Sequence, residues 1–282
     1  MRLVAICNHK GGVGKTTTVM NLAAALARRG RRVLLLDIDP QACLTVHLGF
    51  ELGEGTSIYQ VLTGGMPLRE AVRTTAEPNL ALVPSDLELA GAEMELASAI
   101  GRESLLKDAL HGYLEEEPYD YVLIDCPPSL GLLTINALCA VREIFIPLQT
   151  EFLALRGMGR LVEVVTLIRR RLNPLLRVTG IIPTLYRSGT LLAREVTEEI
   201  KRHFGSYVFT TKIRNNVRLA EAPSHGKSIF AYAADSLGAQ DYERLAQEVE
   251  AMPAAATKPI THIHASHEDP AAPEEPAAPE VA

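Results

Sequence analysis

The sequence predicts an α/β fold in which a mostly parallel, twisted β-sheet is flanked by helices on both faces. Short apolar runs of strand character alternate with longer stretches whose apolar residues recur at helical spacing. That alternation folds into a parallel sheet covered on both sides. The first apolar run is joined to the first helical stretch by a glycine-rich loop, Asn8-His9-Lys10-Gly11-Gly12-Val13-Gly14. With 282 residues and 47% hydrophobic content, the chain can bury a sizeable core.

In chain order, the first strand is expected at Leu3–Cys7, followed by a helix over Thr16–Arg29 with Val19, Leu22, Ala23 and Leu26 on one face. The remaining strands fall at Arg32–Asp37, Leu80–Val83, Tyr121–Asp125, Ile144–Pro147 and Val178–Ile182. Between and after them, helices are expected at Leu87–Leu96, Glu103–Leu114, Leu132–Val141, Met158–Leu172, Leu191–Phe204 and Ala239–Ala251. No composition break or repeat divides residues 1–252, so one domain is expected there. Residues 253–282 differ: five acidic residues and one basic residue give this Pro/Ala-rich stretch a net −4, against −6 for the whole chain. It has too little apolar surface to offset the entropy of ordering and is expected to be a disordered tail. Its histidines, His262, His264 and His267, are not expected to hold a metal.

Several classes are excluded. No run of about 18 apolar residues exists to span a membrane, and no secretory leader precedes the first strand. Cys7, Cys43, Cys126 and Cys139 are far apart without a C-x-x-C pair, as expected of reduced thiols in a cytoplasmic protein.

The loop carries the chemistry. Consecutive glycines let backbone N–H groups turn inward around an anion, and the following helix aims its positive end at the same phosphates. Lys15 supplies a charge for the β- and γ-phosphates, and Thr16 a hydroxyl for Mg²⁺. The usual pattern places glycine where His9 stands, so this is the K-G-G-x-G-K-T variant with an added lysine at Lys10. The nucleotide-binding candidates are therefore Lys10, Gly11, Gly12, Val13, Gly14, Lys15, Thr16 and Thr17. Two strands end in carboxylates where ligands collect in open α/β sheets. The second runs into Asp37-Ile38-Asp39-Pro40, with Asp37 and Asp39 on one side by alternation. Tyr121–Asp125 ends in an acid suited to support a Mg²⁺ shell through water.

Taken together, K-G-G-V-G-K-T-T, L-L-L-D-I-D-P-Q, L-I-D-C-P-P-S and N-V-R-L-A-E-A-P-S-H-G-K resemble the ParA/Soj chromosome-partitioning ATPases over about residues 1–250. The resemblance implies a P-loop NTPase that uses ATP and Mg²⁺, hydrolyses ATP to ADP and phosphate, and closes into an ATP-dependent homodimer. It implies nonspecific binding to duplex DNA on the nucleoid and release when a ParB-like protein stimulates hydrolysis. By the same resemblance Lys10 reaches the partner's phosphates and Lys15 its own. Asp39 positions the attacking water, and Thr16, Asp39 and Asp125 form the metal surroundings. Arg218 contacts DNA.

Because the body is slightly acidic, a DNA footprint must be local. Lys201, Arg202 and Lys227 join Arg218 as candidates, and Arg214 is counted with the nucleotide-binding residues. Arg169-Arg170-Arg171 ends a helix, where cations favour the dipole. His9 replaces a more usual glutamine, Arg187-Ser188-Gly189 replaces an Asp-x-Arg stretch, and Ala-Cys-Leu-Thr follows Gln41 in place of a Gly/Asn-rich form. No helix-turn-helix precedes the first strand, so operator-specific repression is not expected. A MinD-like membrane ATPase would end in a basic amphipathic helix, and an iron–sulfur ATPase would need paired cysteines. The alternative that shares the whole engine is a ParA-like ATPase that positions a protein cargo such as chemoreceptor clusters.

Overall fold

The computed structural model describes residues 1–53, 55–151 and 158–253. Seven strands form one sheet in the order β3-β4-β2-β5-β1-β6-β7. They are β1 (Arg2–Ile6), β2 (Val33–Asp37), β3 (Arg73–Thr74), β4 (Leu80–Val83), β5 (Tyr121–Asp125), β6 (Glu143–Gln149) and β7 (Arg177–Thr184). Every pairing is parallel except that of β3, a two-residue antiparallel edge strand. The six expected strands are all present within two residues of their expected ends; β3 was not expected.

The strands are apolar throughout because each is buried on both faces. Leu34, Leu36, Val122 and Ile124 point into one apolar layer, and Val33, Leu35, Tyr121 and Leu123 into the other. The second layer is closed by α1 (Lys15–Arg28), α2 (Cys43–His47) and, from the end of the chain, α10 (Val217–Glu221), α11 (Ile229–Tyr232) and α12 (Leu237–Ala251). The first is closed by α3 (Ile58–Leu62), α4 (Leu68–Ala71), α5 (Leu89–Glu95), α6 (Leu105–Glu116), α7 (Leu132–Ala140), α8 (Met158–Arg171) and α9 (Leu191–Phe204). The short helices α2, α3, α4, α10 and α11 were not expected; each has too few turns to show a period in the sequence.

After α9 the chain runs back along β7, with parallel bridges Ile181–Val208 and Tyr186–Arg214. This return delivers Arg214 and α10 to the carboxyl end of the sheet. Cys7, Cys126 and Cys139 are buried free thiols, as expected, and Cys43 is exposed at the start of α2. No helix among the described residues is long and apolar enough to cross a membrane. The expected tail lies outside the described residues apart from Pro253.

Candidate nucleotide site

The loop leaving β1 is braced from β6 and β7, the two strands on one side of β1. Asn8 Nδ2 donates to the Pro147 carbonyl at 2.7 Å, and Asn8 Oδ1 accepts from Lys10 N at 3.0 Å. From β7, the next strand out, Thr184 Oγ1 donates to the Val13 carbonyl at 2.8 Å. Gly12 and Gly14 take φ of 72° and 87°, which only glycine adopts without strain. A Cβ built on Gly11, Gly12 or Gly14 would meet no atom within 4 Å, so the loop encloses open space. Gly14 caps α1 without a side-chain hydrogen bond. The orphan N–H groups of the first turn therefore face that space as donors for an anion. Lys15 is buried, and its Nζ donates to the Lys10 carbonyl at 3.5 Å, a long bond that a phosphate can replace.

Beneath the loop the sheet brings two acids into register: Asp37 at the end of β2 lies opposite Asp125 at the end of β5. Both are fully buried. Asp37 is well supplied, since its Oδ2 accepts from Thr45 N and Thr45 Oγ1 at 2.8 Å each, and its Oδ1 from Asp39 N at 3.2 Å. Burial still pushes its carboxyl up to about 6, against the pull of those hydrogen bonds. Neither oxygen of Asp125 has a hydrogen-bond partner. Its carboxyl is driven well above the ordinary range by burial and then by the charge of Asp37; the Thr16 hydroxyl and Lys15 act in the opposite direction. A buried, unpartnered carboxylate beside a second acid and the Thr16 hydroxyl is an environment that fits a hard divalent cation. Among the described residues no cluster of three His, Cys, Asp or Glu ligands exists.

β2 stops at Asp37, and Asp39 belongs to a turn. Its Oδ1 accepts from Gln41 N at 3.0 Å, and its carbonyl from Ala42 N at 2.8 Å. Ile38 stays in the layer of Leu34 and Leu36, as alternation requires.

Other candidates are dispersed. Lys10 Nζ is half exposed and bonds within its own chain, to Gln149 Oε1 at 3.1 Å and Glu151 Oε2 at 3.2 Å. Arg214 is anchored on buried Asp241, with Nη2 to Oδ1 at 2.6 Å and Nε to Oδ2 at 2.9 Å. It lines a cleft of about 120 Å³ that begins at Gly14 and Thr17 and is bounded by Asn216, Leu219 and Tyr242. Arg214 therefore reaches the site as wall. Its guanidinium is already held by a carboxylate.

Arg218 is exposed on α10, with Nη1 on Glu221 Oε2 at 2.9 Å, and exposed Lys227 follows at Gly226. The structure does not bring Lys201 and Arg202 to them. Those residues occupy the last turn of α9, paired with Glu198 and Glu199 one turn back. They lie about 15 Å down a 14-residue helix that descends from the carboxyl end of β7. The basic candidates are thus divided between the two ends of the sheet. A depression of about 670 Å³ lies away from the loop, around Arg28, Arg29 and Arg31. There Arg29 and Arg31 are neutralised by Glu243 and Glu250.

Sequence reasoning missed Thr45, Ser85 and Asp241, which hold the site's parts in place. Ser85 stands two residues beyond β4, so the rule that ligands gather at strand carboxyl ends was a usable signal for it. Asp241 and Thr45 had none, because their partners are distant or irregularly spaced. Glu93 of α5 also reaches the loop after Asp125, accepting from Leu133 N at 3.3 Å where α7 starts.

This fold and loop define a P-loop nucleotide-binding α/β protein, and the AAA domain family model matches residues 1–178. The sequence is 47% identical to the sporulation initiation inhibitor protein Soj of Bacillus subtilis over 251 residues, covering 89% of this chain and 98% of that one. It is 44% identical to the chromosome partitioning protein ParA of Caulobacter vibrioides over 250 residues, 88% of this chain and 94% of that one. The chain belongs to the ParA/Soj family of chromosome-partitioning ATPases. Among solved structures it is similar to cobyrinic acid a,c-diamide synthase from Mycobacterium smegmatis with bound ADP and magnesium, at TM-score 0.77 and 38% identity over 88% of this chain and 93% of that one. It is also similar to apo McdA of Cyanothece, at TM-score 0.79 and 25% identity over 88% and 99% of the two chains.

Proposed function

We propose that this chain is an ATP-driven DNA-segregation switch that binds ATP and Mg²⁺, dimerises, coats duplex DNA without sequence preference and lets go after hydrolysis stimulated by a ParB-like protein. The observation that carries the nucleotide part is Asp125, buried and without a partner below the Lys15–Thr16 turn. Magnesium, when bound, neutralises charge on the β- and γ-phosphates. The loop N–H groups and Lys15 hold those phosphates, Thr16 offers its hydroxyl to the metal, and Asp125 accepts hydrogen bonds from the metal's water. Asp39 orients the attacking water. The water oxygen bonds to the γ-phosphorus while the bridging P–O bond breaks, its electron pair leaving on ADP and the water's protons passing to phosphate and solvent. The work is positioning and electrostatics rather than covalent catalysis.

The cleft between Thr17 and Arg214 is the place for the nucleoside. Lys10 must leave Gln149 and Glu151 to reach a partner's phosphates, and exposed ion pairs of this kind are weakly held. Arg218 and Lys227, at the nucleotide end of the sheet, form the DNA surface, and Lys201 and Arg202 serve as a solvated helix end. The same engine could move a protein cargo. Relatives at 44–47% identity that are named for chromosome partitioning favour that cargo.

The test separates capture from hydrolysis. Lys15→Ala should lower ATP affinity by about 100-fold or more in a fluorescent-nucleotide titration, given a charge-assisted contact to phosphate. Asp39→Ala should bind ATP normally and accumulate as a dimer by light scattering, with little phosphate release. Unchanged ATP affinity in Lys15→Ala would overturn the assignment of the loop.

A further inference from the structure

We propose that Ser85 is a positioning residue for hydrolysis, holding the turn that aims Asp39; the proposal rests on the reading that Asp39 orients the attacking water. Four residues from three separate elements form a closed ring of hydrogen bonds. Asp39 N donates to Asp37 Oδ1 at 3.2 Å, and Thr45 N and Oγ1 donate to Asp37 Oδ2 at 2.8 Å each. Ser85 N donates to Thr45 Oγ1 at 2.9 Å, and Ser85 Oγ closes the ring on the Asp39 carbonyl at 2.8 Å. All four are buried; Asp37, Thr45 and Ser85 enter the ring through their side chains and Asp39 through its backbone.

The turn that bears Asp39 is otherwise tied mainly to itself. Ala42 N and Gln41 N both bond back to Asp39, and Ala42 takes the left-handed φ of 50° that closes the turn without glycine. Two bonds join residue 39 to the sheet: its N–H on Asp37, and its carbonyl under Ser85. The first leaves the peptide free to pivot about the end of β2. The second comes from the segment just beyond β4, the strand beside β2, and stops that pivot. Gln41 occupies Oδ1 of Asp39, which leaves Oδ2 to accept from a water. A small rotation of the peptide would swing that oxygen off line while the phosphate loop stays untouched, because no member of the ring belongs to the loop or to α1. Misplacement by about 1 Å is enough to cost up to 100-fold in rate.

Ser85→Ala removes the hydroxyl and keeps the backbone bond to Thr45. Single-turnover phosphate release should fall about tenfold or more, on the scale that misalignment costs, with ATP affinity within twofold of wild type. Ser85→Thr, which retains the hydroxyl, should restore most of the rate, and thermal melts of both variants report whether they fold. In an Asp39→Ala background Ser85→Ala should lower the residual rate no further. Wild-type turnover in Ser85→Ala beside an impaired Asp39→Ala would overturn the proposal alone. So would a loss of ATP affinity that matches the loss of rate. Full turnover by Asp39→Ala would overturn the reading of Asp39 and this proposal with it.

Discussion

One sheet buries charge at both of its ends, and the two ends treat it oppositely. At the amino end of the strands, Arg2 of β1 grips Glu143 of β6 through Nε to Oε1 at 2.8 Å and Nη2 to Oε2 at 2.6 Å. The remaining arm of Arg2 donates to the Val249 carbonyl of α12 at 2.6 Å, and Thr179 Oγ1 of β7 completes Glu143 at 3.0 Å. Burial alone would lower the guanidinium's pKa; pairing with Glu143 more than offsets it and the net shift is upward. At the carboxyl end, neither oxygen of Asp125 is held by a hydrogen bond, with only the Thr16 hydroxyl and Lys15 to favour its charge, and Asp37 beside it is partnered yet still raised. A buried charge whose every atom is satisfied ties elements together. A buried charge left unsatisfied beside an open loop destabilises the empty protein and is explained by what it binds.

The largest effect that tests this contrast is removal of Arg2. Arg2→Ala leaves Glu143 buried and unpaired, which should cost about 3–5 kcal/mol. For a chain of this size that is a drop of roughly 6–20 °C in the thermal midpoint. Any folded fraction should bind ATP as wild type does. Asp125→Asn should do the reverse, raising the midpoint of the nucleotide-free protein while reducing the further stabilisation given by ATP and Mg²⁺. A destabilised Asp125→Asn would show that its carboxylate is satisfied after all and would break the comparison.

A pH series sharpens it. Asp37 titrates near 6 in the folded chain against an ordinary value of 3.8, and Asp125 is also raised by burial. An acid whose folded value lies above its unfolded value binds protons more tightly when folded. Its contribution to stability is therefore complete below about pH 4 and is lost as pH rises through about 6 for Asp37; Asp125, also raised, acts in the same direction. The wild type, melted without nucleotide at pH 5 and pH 7, should lose stability over that interval relative to Asp37→Asn/Asp125→Asn, and ATP with Mg²⁺ should shrink the difference. Equal pH dependence in the two proteins would show that the acids do not titrate in this range.

How much of this was legible differs by the distance over which each feature is encoded. Strands buried on both faces are unbroken apolar runs, so six of seven were readable, and β3, with only Arg73 and Thr74, offers no run to read. Lys15, Thr16 and Asp125 were readable because their chemistry is set by immediate neighbours. The ring through Thr45 and Ser85 was not, since it joins residues up to 46 positions apart that only the sheet order brings together. The same limit explains the basic residues. Composition counts Lys201, Arg202 and Arg218 alike, and only the topology sends them to opposite ends.

Arg218 is a third kind of charge, exposed and loosely paired, and its loss should have the smallest effect. Its partner Glu221 is shared with the Tyr232 hydroxyl at 3.0 Å, so the guanidinium can exchange one oxygen for a phosphate without leaving a buried group unsatisfied. Folding and ATP-driven dimerisation should be unchanged in Arg218→Ala, because the side chain lies outside the loop and both carboxylate clusters. DNA affinity should fall equally on two unrelated duplexes, since phosphate contacts carry no sequence information. Each phosphate contact contributes about −0.9 to the slope of log affinity against log salt, so losing one per subunit should flatten the slope by about two per dimer. Lys201→Ala, at the far end of α9, should leave the slope as it is. Electrophoretic shifts of both duplexes at several salt concentrations measure this directly. An unchanged slope in Arg218→Ala together with a flattened one in Lys201→Ala would move the DNA surface to the amino end of the sheet.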